Sequence, residues 1–65
     1  MQMYSEIKFN ILDKVRVINV DGGDYQLPYM GQVGTVMDSC HLPYVQFEDG
    51  EEFVFAQKRL ELVEE

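Results

Sequence analysis

Tryptophan is absent, cysteine occurs once, and residues 17–57 carry no lysine or arginine. Each lack removes a class of protein. A lone Cys40 cannot close an internal disulfide, so the chain has no covalent staple. A reducing, intracellular setting suits it better than secretion. No apolar run approaches the roughly 20 residues that a membrane helix needs. The opening Met1-Gln2-Met3-Tyr4-Ser5-Glu6-Ile7-Lys8 lacks the basic start and apolar stretch of a signal peptide. The expectation is a soluble cytoplasmic protein with no membrane partner. Gly22-Gly23 is followed by neither a helical pattern nor a lysine, so it does not match a phosphate-cradling loop.

What the chain has in excess is acid. Twelve acidic residues face five basic ones, for a net charge of −7. The bases are Lys8, Lys14, Arg16, Lys58 and Arg59, split between the two ends. The base-free stretch holds Asp21, Asp24, Asp38, Glu48, Asp49, Glu51 and Glu52. If the first and last strands lie side by side, the bases gather there and the remaining surface is acidic. Such a surface repels phosphate backbones, because nucleic-acid affinity comes largely from Lys and Arg displacing counterions. It attracts basic protein surfaces and speeds their encounter. The simpler reading is that the charge keeps a tiny domain soluble.

Sixty-five residues make one domain. A chain of that length buries only about 60% of its unfolded surface, so the core is small. Residues 1–10 read as a lead-in, with an alternation at Ile7, Phe9 and Ile11 that would suit an added edge strand. Residues 11–65 read as the domain. The first strand is expected over residues 13–19, with Val15 and Val17 on one face and Lys14 and Arg16 on the other. A loop of about a dozen residues follows, in which Gly22-Gly23 and Pro28 exclude a regular strand. Further strands are expected over residues 32–38, 44–48, 51–56 and 60–63. Gly34 implies a bulge or a close backbone crossing. Asp49-Gly50 reads as a two-residue hairpin turn, whose central positions need positive φ. Residues 57–59 suit a single 3₁₀ turn, and Leu60 and Leu62 are expected to point inward. The sum is an all-β fold, a single small five-stranded barrel with a short 3₁₀ turn before the last strand. Closing the sheet would shield a small core.

Four segments carry a resemblance: Asp13-Lys14-Val15-Arg16-Val17, Gly31-Gln32-Val33-Gly34-Thr35-Val36, Tyr44-Val45-Gln46-Phe47 and Arg59-Leu60-Glu61-Leu62-Val63. Together they resemble the SH3-like barrel superfamily, over about residues 13–63. The order of segments looks like KOW-type and Tudor-like modules, like the barrel subunits of electron-transfer complexes, and like small bacterial and phage barrel proteins. These motifs serve bending and turning, so they argue fold and leave function open. The Ala-Leu-Tyr-Asp-Tyr start and paired tryptophan of peptide-binding SH3 domains are missing. The loops equivalent to the basic RNA-binding loops of KOW modules are acidic. In SH3-like and Tudor-type barrels the ligand groove lies between the first long loop and the neighbouring hairpin. That resemblance makes Asp21, Asp24, Tyr25, Tyr29, Tyr44, Glu48, Asp49, Glu51 and Glu52 the candidate partner-binding residues. Tyrosine faces and carboxylates there would favour a cationic side chain. Tyr25 and Tyr29 would equally serve to cap the barrel mouth.

Reactive constellations are sparse. Cys40 and His41 are adjacent, so in extended chain their side chains diverge, and a catalytic pair needs hydrogen-bond reach and an orienting third group. They offer two ligands where a structural zinc site takes four. The Glu48-Asp49-Gly50-Glu51-Glu52 tip lacks the spacing of a calcium-binding EF-hand loop. Exposed carboxylates keep ordinary pKa values and make poor acids at neutral pH. No enzyme activity and no cofactor or metal is expected. The expected function is a non-enzymatic acidic module that docks a basic protein surface, with a phage-type inhibitor or nucleic-acid mimic as a special case. The alternatives are an accessory subunit of a larger complex, with an apolar patch from Met30, Met37 and Leu42, and a KOW-like nucleic-acid or ribosome-associated module.

Overall fold

A computed structural model describes residues 7–20 and 26–64. Five strands appear in chain order: β1 Lys14–Val17, β2 Val33–Asp38, β3 Tyr44–Gln46, β4 Glu52–Val54 and β5 Leu60–Leu62. Two 3₁₀ turns, Leu27–Tyr29 and Gln57–Arg59, precede β2 and β5. The strands form one sheet in the order β4-β3-β2-β1-β5, with every neighbouring pair antiparallel. This is the expected all-β fold of five strands. The sheet is not closed: β4 and β5 are its edges, and no ladder joins them among the described residues.

Alternation explains the core. Val15 and Val17 of β1, Val36 of β2 and Val45 of β3 are fully buried on one face. Phe47, Phe55, Leu60 and Phe9 complete the cluster. Lys14 and Arg16 project from the opposite face, as their alternation with the valines predicts. Each fully buried side chain of this kind contributes about 1.5–3 kcal/mol relative to an exposed one. The four valines and the four larger side chains around them therefore support this small domain together.

Gly34 lies at a tight crossing of β2 and β3. A Cβ there would sit 2.5 Å from Val45 Cγ1 and 2.8 Å from the Gln46 carbonyl oxygen. The close crossing expected at this glycine is thus present. The bulge lies farther along, where the β2–β3 register shifts between Val36 and Asp38.

The β3–β4 connection differs from the two-residue turn expected at Asp49-Gly50. Gly50 N–H donates to the Phe47 carbonyl at 2.9 Å, and Phe47 N–H donates to the Glu51 carbonyl at 2.8 Å. Glu48, Asp49 and Gly50 form a three-residue loop in which Gly50 alone has positive φ, +90°. That is the type I turn plus glycine bulge, the next commonest hairpin loop. Asp49 takes an ordinary backbone conformation and is free to use its side chain instead.

Three further differences concern packing. Leu60 is buried, but Leu62, though opposite Val15 on the inner face, is 46% exposed because β5 is an edge. Residues 7–10 hold no strand, so the edge strand considered for the lead-in is not formed within them. Phe9 instead plugs the core at 5% exposure. Its carbonyl accepts from Ser39 Oγ at 2.6 Å, and the Lys8 N–H donates to Gln57 Oε1. The long first loop is not wholly irregular either. Pro28 is the second residue of the Leu27–Tyr29 turn, and its fixed φ suits a 3₁₀ conformation.

Candidate functional site

The β3–β4 hairpin tip gathers the acids. Glu48, Asp49, Glu51 and Glu52 are all exposed there. Asp49 differs from the other three. Tyr29 Oη donates to its Oδ2 at 2.7 Å, and the Glu51 N–H donates to its Oδ1 at 2.9 Å. The Tyr29 hydrogen bond, followed by that of Glu51, holds the Asp49 carboxyl below the ordinary carboxylate value. The same bond to Asp49, together with desolvation and the charges of Asp49 and Glu51, pushes the Tyr29 phenol up to about 12.

The ring of Tyr29 faces inward. Its centroid lies 4.6 Å from Phe47 and 5.0 Å from Phe53, and Phe47 packs edge-on against Phe55 at 6.0 Å. Tyr29 therefore holds the first loop against the hairpin, in a sheet that leaves no closed barrel mouth to cap. Its ring face is committed to packing, and the outward chemistry of the tip falls to Glu48, Glu51 and Glu52. Tyr44 is 44% exposed on the outer face, opposite Val54 of β4 and Asp38 of β2. Asp21, Asp24 and Tyr25 lie outside the described residues.

No lysine or arginine belongs to the tip itself. β1 and β5 are neighbours, which sets Lys14 and Arg16 beside the last strand. Arg16 is spent locally: its Nη1 lies 3.0 Å from Glu61 Oε2 across the β1–β5 ladder. Lys14 Nζ donates to Thr35 Oγ1 at 2.9 Å. A groove of about 390 Å³ runs over the outer face of β1, β2 and β3, and Lys14, Val33, Thr35, Gln46 and Glu48 line it. It opens to solvent and carries a mixed set of one ammonium, one carboxylate, a hydroxyl and an amide.

Cys40 Sγ donates to the Leu42 carbonyl at 3.1 Å inside the β2–β3 turn, and His41 is exposed. No group of three or more His, Cys, Asp or Glu side chains suited to one metal ion occurs among the described residues. No helix among the described residues is long and apolar enough to cross a membrane.

Alternation suggests an edge strand at Phe9 where the structure has a core residue, and nothing in the sequence singles out Gln26. Gln26 Nε2 donates to the Val54 carbonyl at 2.9 Å, so the first loop reaches the outer edge of β4. A side-chain amide touching a strand edge leaves no trace in local periodicity. No protein-family model, no curated protein and no solved structure matches this chain.

Proposed function

We propose that this protein is a non-enzymatic interaction module that docks a basic protein surface through its acidic β3–β4 end. One observation carries the reading. The stretch without lysine or arginine includes β2, β3 and β4, and its β3–β4 hairpin tip carries exposed Glu48, Glu51 and Glu52. Phosphate backbones are repelled by such a surface, while cationic side chains are drawn to it. The placement of β5 beside β1 and the 3₁₀ turn before β5 support an SH3-like reading of the fold, with the sheet left open between β4 and β5. An inhibitor or nucleic-acid mimic that fills another protein's nucleic-acid cleft is the special case of the same chemistry.

A second reading, an accessory subunit seated by an apolar face, draws on the exposure of Met37 and Leu42 around the β2–β3 turn. Ile11 and Leu12 are exposed too, and the Leu12 N–H bonds the Val36 carbonyl beside that turn. The two readings separate in parallel pull-downs from the native host with the wild type and a Glu48→Lys/Glu51→Lys/Glu52→Lys variant, at low and high salt. The acidic-module reading expects a basic partner that both charge reversal and salt remove. A partner held equally by both proteins at both salt concentrations overturns it in favour of the apolar face.

A further inference from the structure

The open edge of β4 completes a docking surface that charge alone does not define. The Phe47 N–H bonds the Glu51 carbonyl and the Phe55 N–H bonds the Pro43 carbonyl. In an antiparallel ladder these inward-bonding positions alternate with outward ones. The main-chain groups of Glu52 and Val54 therefore point away from β3, out of the sheet. Among the described residues the Glu52 outward groups have no partner, and the Val54 carbonyl accepts only the side-chain amide of Gln26. That amide occupies the place a main-chain N–H of an added strand would take. The side chains of Glu52 and Val54 share the outer face, where Val54 stands opposite Tyr44 and Glu52 opposite Gln46. Glu48 and Glu51 flank the same edge, and the nearest strand with bases, β1, is separated from it by β2 and β3.

We propose that β4 receives an extended basic segment of a partner protein as a sixth strand, with a cationic residue opposite Glu52 and an apolar residue two positions away opposite Val54. Main-chain hydrogen bonds supply pairing, and the alternate side chains supply selection. The added strand displaces the Gln26 amide from the Val54 carbonyl. This inference rests on the acidic-module reading above and names the geometry by which its partner would bind.

The test uses the full chain and three capped peptides, observed by NMR titration and amide exchange. The first peptide is Thr-Arg-Thr-Val-Thr-Arg-Thr, which presents the pattern in either direction. The second is the same peptide N-methylated at its valine and both arginine amides, and the third has glutamate in place of both arginines. The first peptide is expected to bind and to slow exchange of the Glu52 and Val54 amides. The N-methylated peptide is expected to bind at least about tenfold more weakly, as the loss of one or two main-chain hydrogen bonds requires. The glutamate peptide is expected to fail. If the N-methylated peptide binds as well as the first, charge docking stands and strand addition is overturned. If the glutamate peptide binds equally, the acidic-module reading falls with it. Absence of binding, or of protection at Glu52 and Val54, overturns the inference. So does protection of those amides without peptide in a protein of doubled mass, which would put a second copy on the edge.

Discussion

Two glycines of this chain are needed for opposite reasons, and the difference can be measured. At Gly34 an added Cβ meets Val45 Cγ1 and the Gln46 main chain, in a crossing that leaves no room. Gly34→Ala is expected to cost about 1–3 kcal/mol by overpacking, a large share of what so small a domain holds. At Gly50 an added Cβ meets nothing within 4 Å, and only the +90° φ opposes it. Gly50→Ala is expected to cost about 1–2 kcal/mol, from the left-handed backbone alone. Leu12 is the inverse case, a branched residue at φ +78° and 68% exposed. Leu12→Gly is expected to raise stability by about 0.5–1 kcal/mol, since relief of strain outweighs the added chain entropy. Urea unfolding of the three variants checks all three signs. A stabilising Gly34→Ala would contradict the crossing, and a destabilising Leu12→Gly would contradict the strain. The need for Gly34 was legible as a glycine inside a strand pattern. The strain at Leu12 was not, because leucine carries no local mark of a left-handed position.

Among elements, the first loop and the β3–β4 hairpin are coupled through Tyr29 and Asp49. The phenol pKa is raised above its ordinary value of 10.0 to about 12, so this bond stabilises the fold below pH 10 and is lost as pH rises through about 12. The Asp49 pKa is lowered, so its contribution is present above the ordinary carboxylate range and is lost as pH falls through the depressed value. Tyr29→Phe keeps the ring against Phe47 and Phe53 and removes the hydroxyl. It is expected to abolish the alkaline loss tied to Tyr29 and to weaken the acid one, where the Glu51 N–H still holds Asp49. Thermal unfolding of both proteins across the pH range checks this, and superimposable profiles would contradict it. The strands themselves were readable, because the β1 valines alternate with Lys14 and Arg16 and because Gly50 marks a hairpin. The tether was not readable, since residues 29 and 49 meet only when the loop folds over the sheet. The same limit applies to Phe9, which is buried where its carbonyl accepts from Ser39 and the preceding Lys8 N–H donates to Gln57, both far along the chain.

At the scale of the whole molecule, the fold concentrates exposed acids at one hairpin tip. Pairing of β1 with β5 sets the strand of Lys14 and Arg16 beside that of Glu61, and the β3–β4 hairpin tip gathers Glu48, Asp49, Glu51 and Glu52 with no lysine or arginine among them. The charge pattern itself was evident in residues 17–57. Which carboxylates remain available was not, since only the folded chain shows Tyr29 engaging Asp49 and Arg16 engaging Glu61. On this account the acidic end acts by long-range attraction, and steering of that kind governs the rate of encounter. The most direct measurement is the association rate with the purified native partner as a function of ionic strength, for the wild type and the Glu48→Lys/Glu51→Lys/Glu52→Lys variant. The account predicts a wild-type rate that falls steeply with added salt and a variant rate that is slow at low salt and does not fall. A wild-type rate indifferent to salt, or equal to that of the variant, would contradict it.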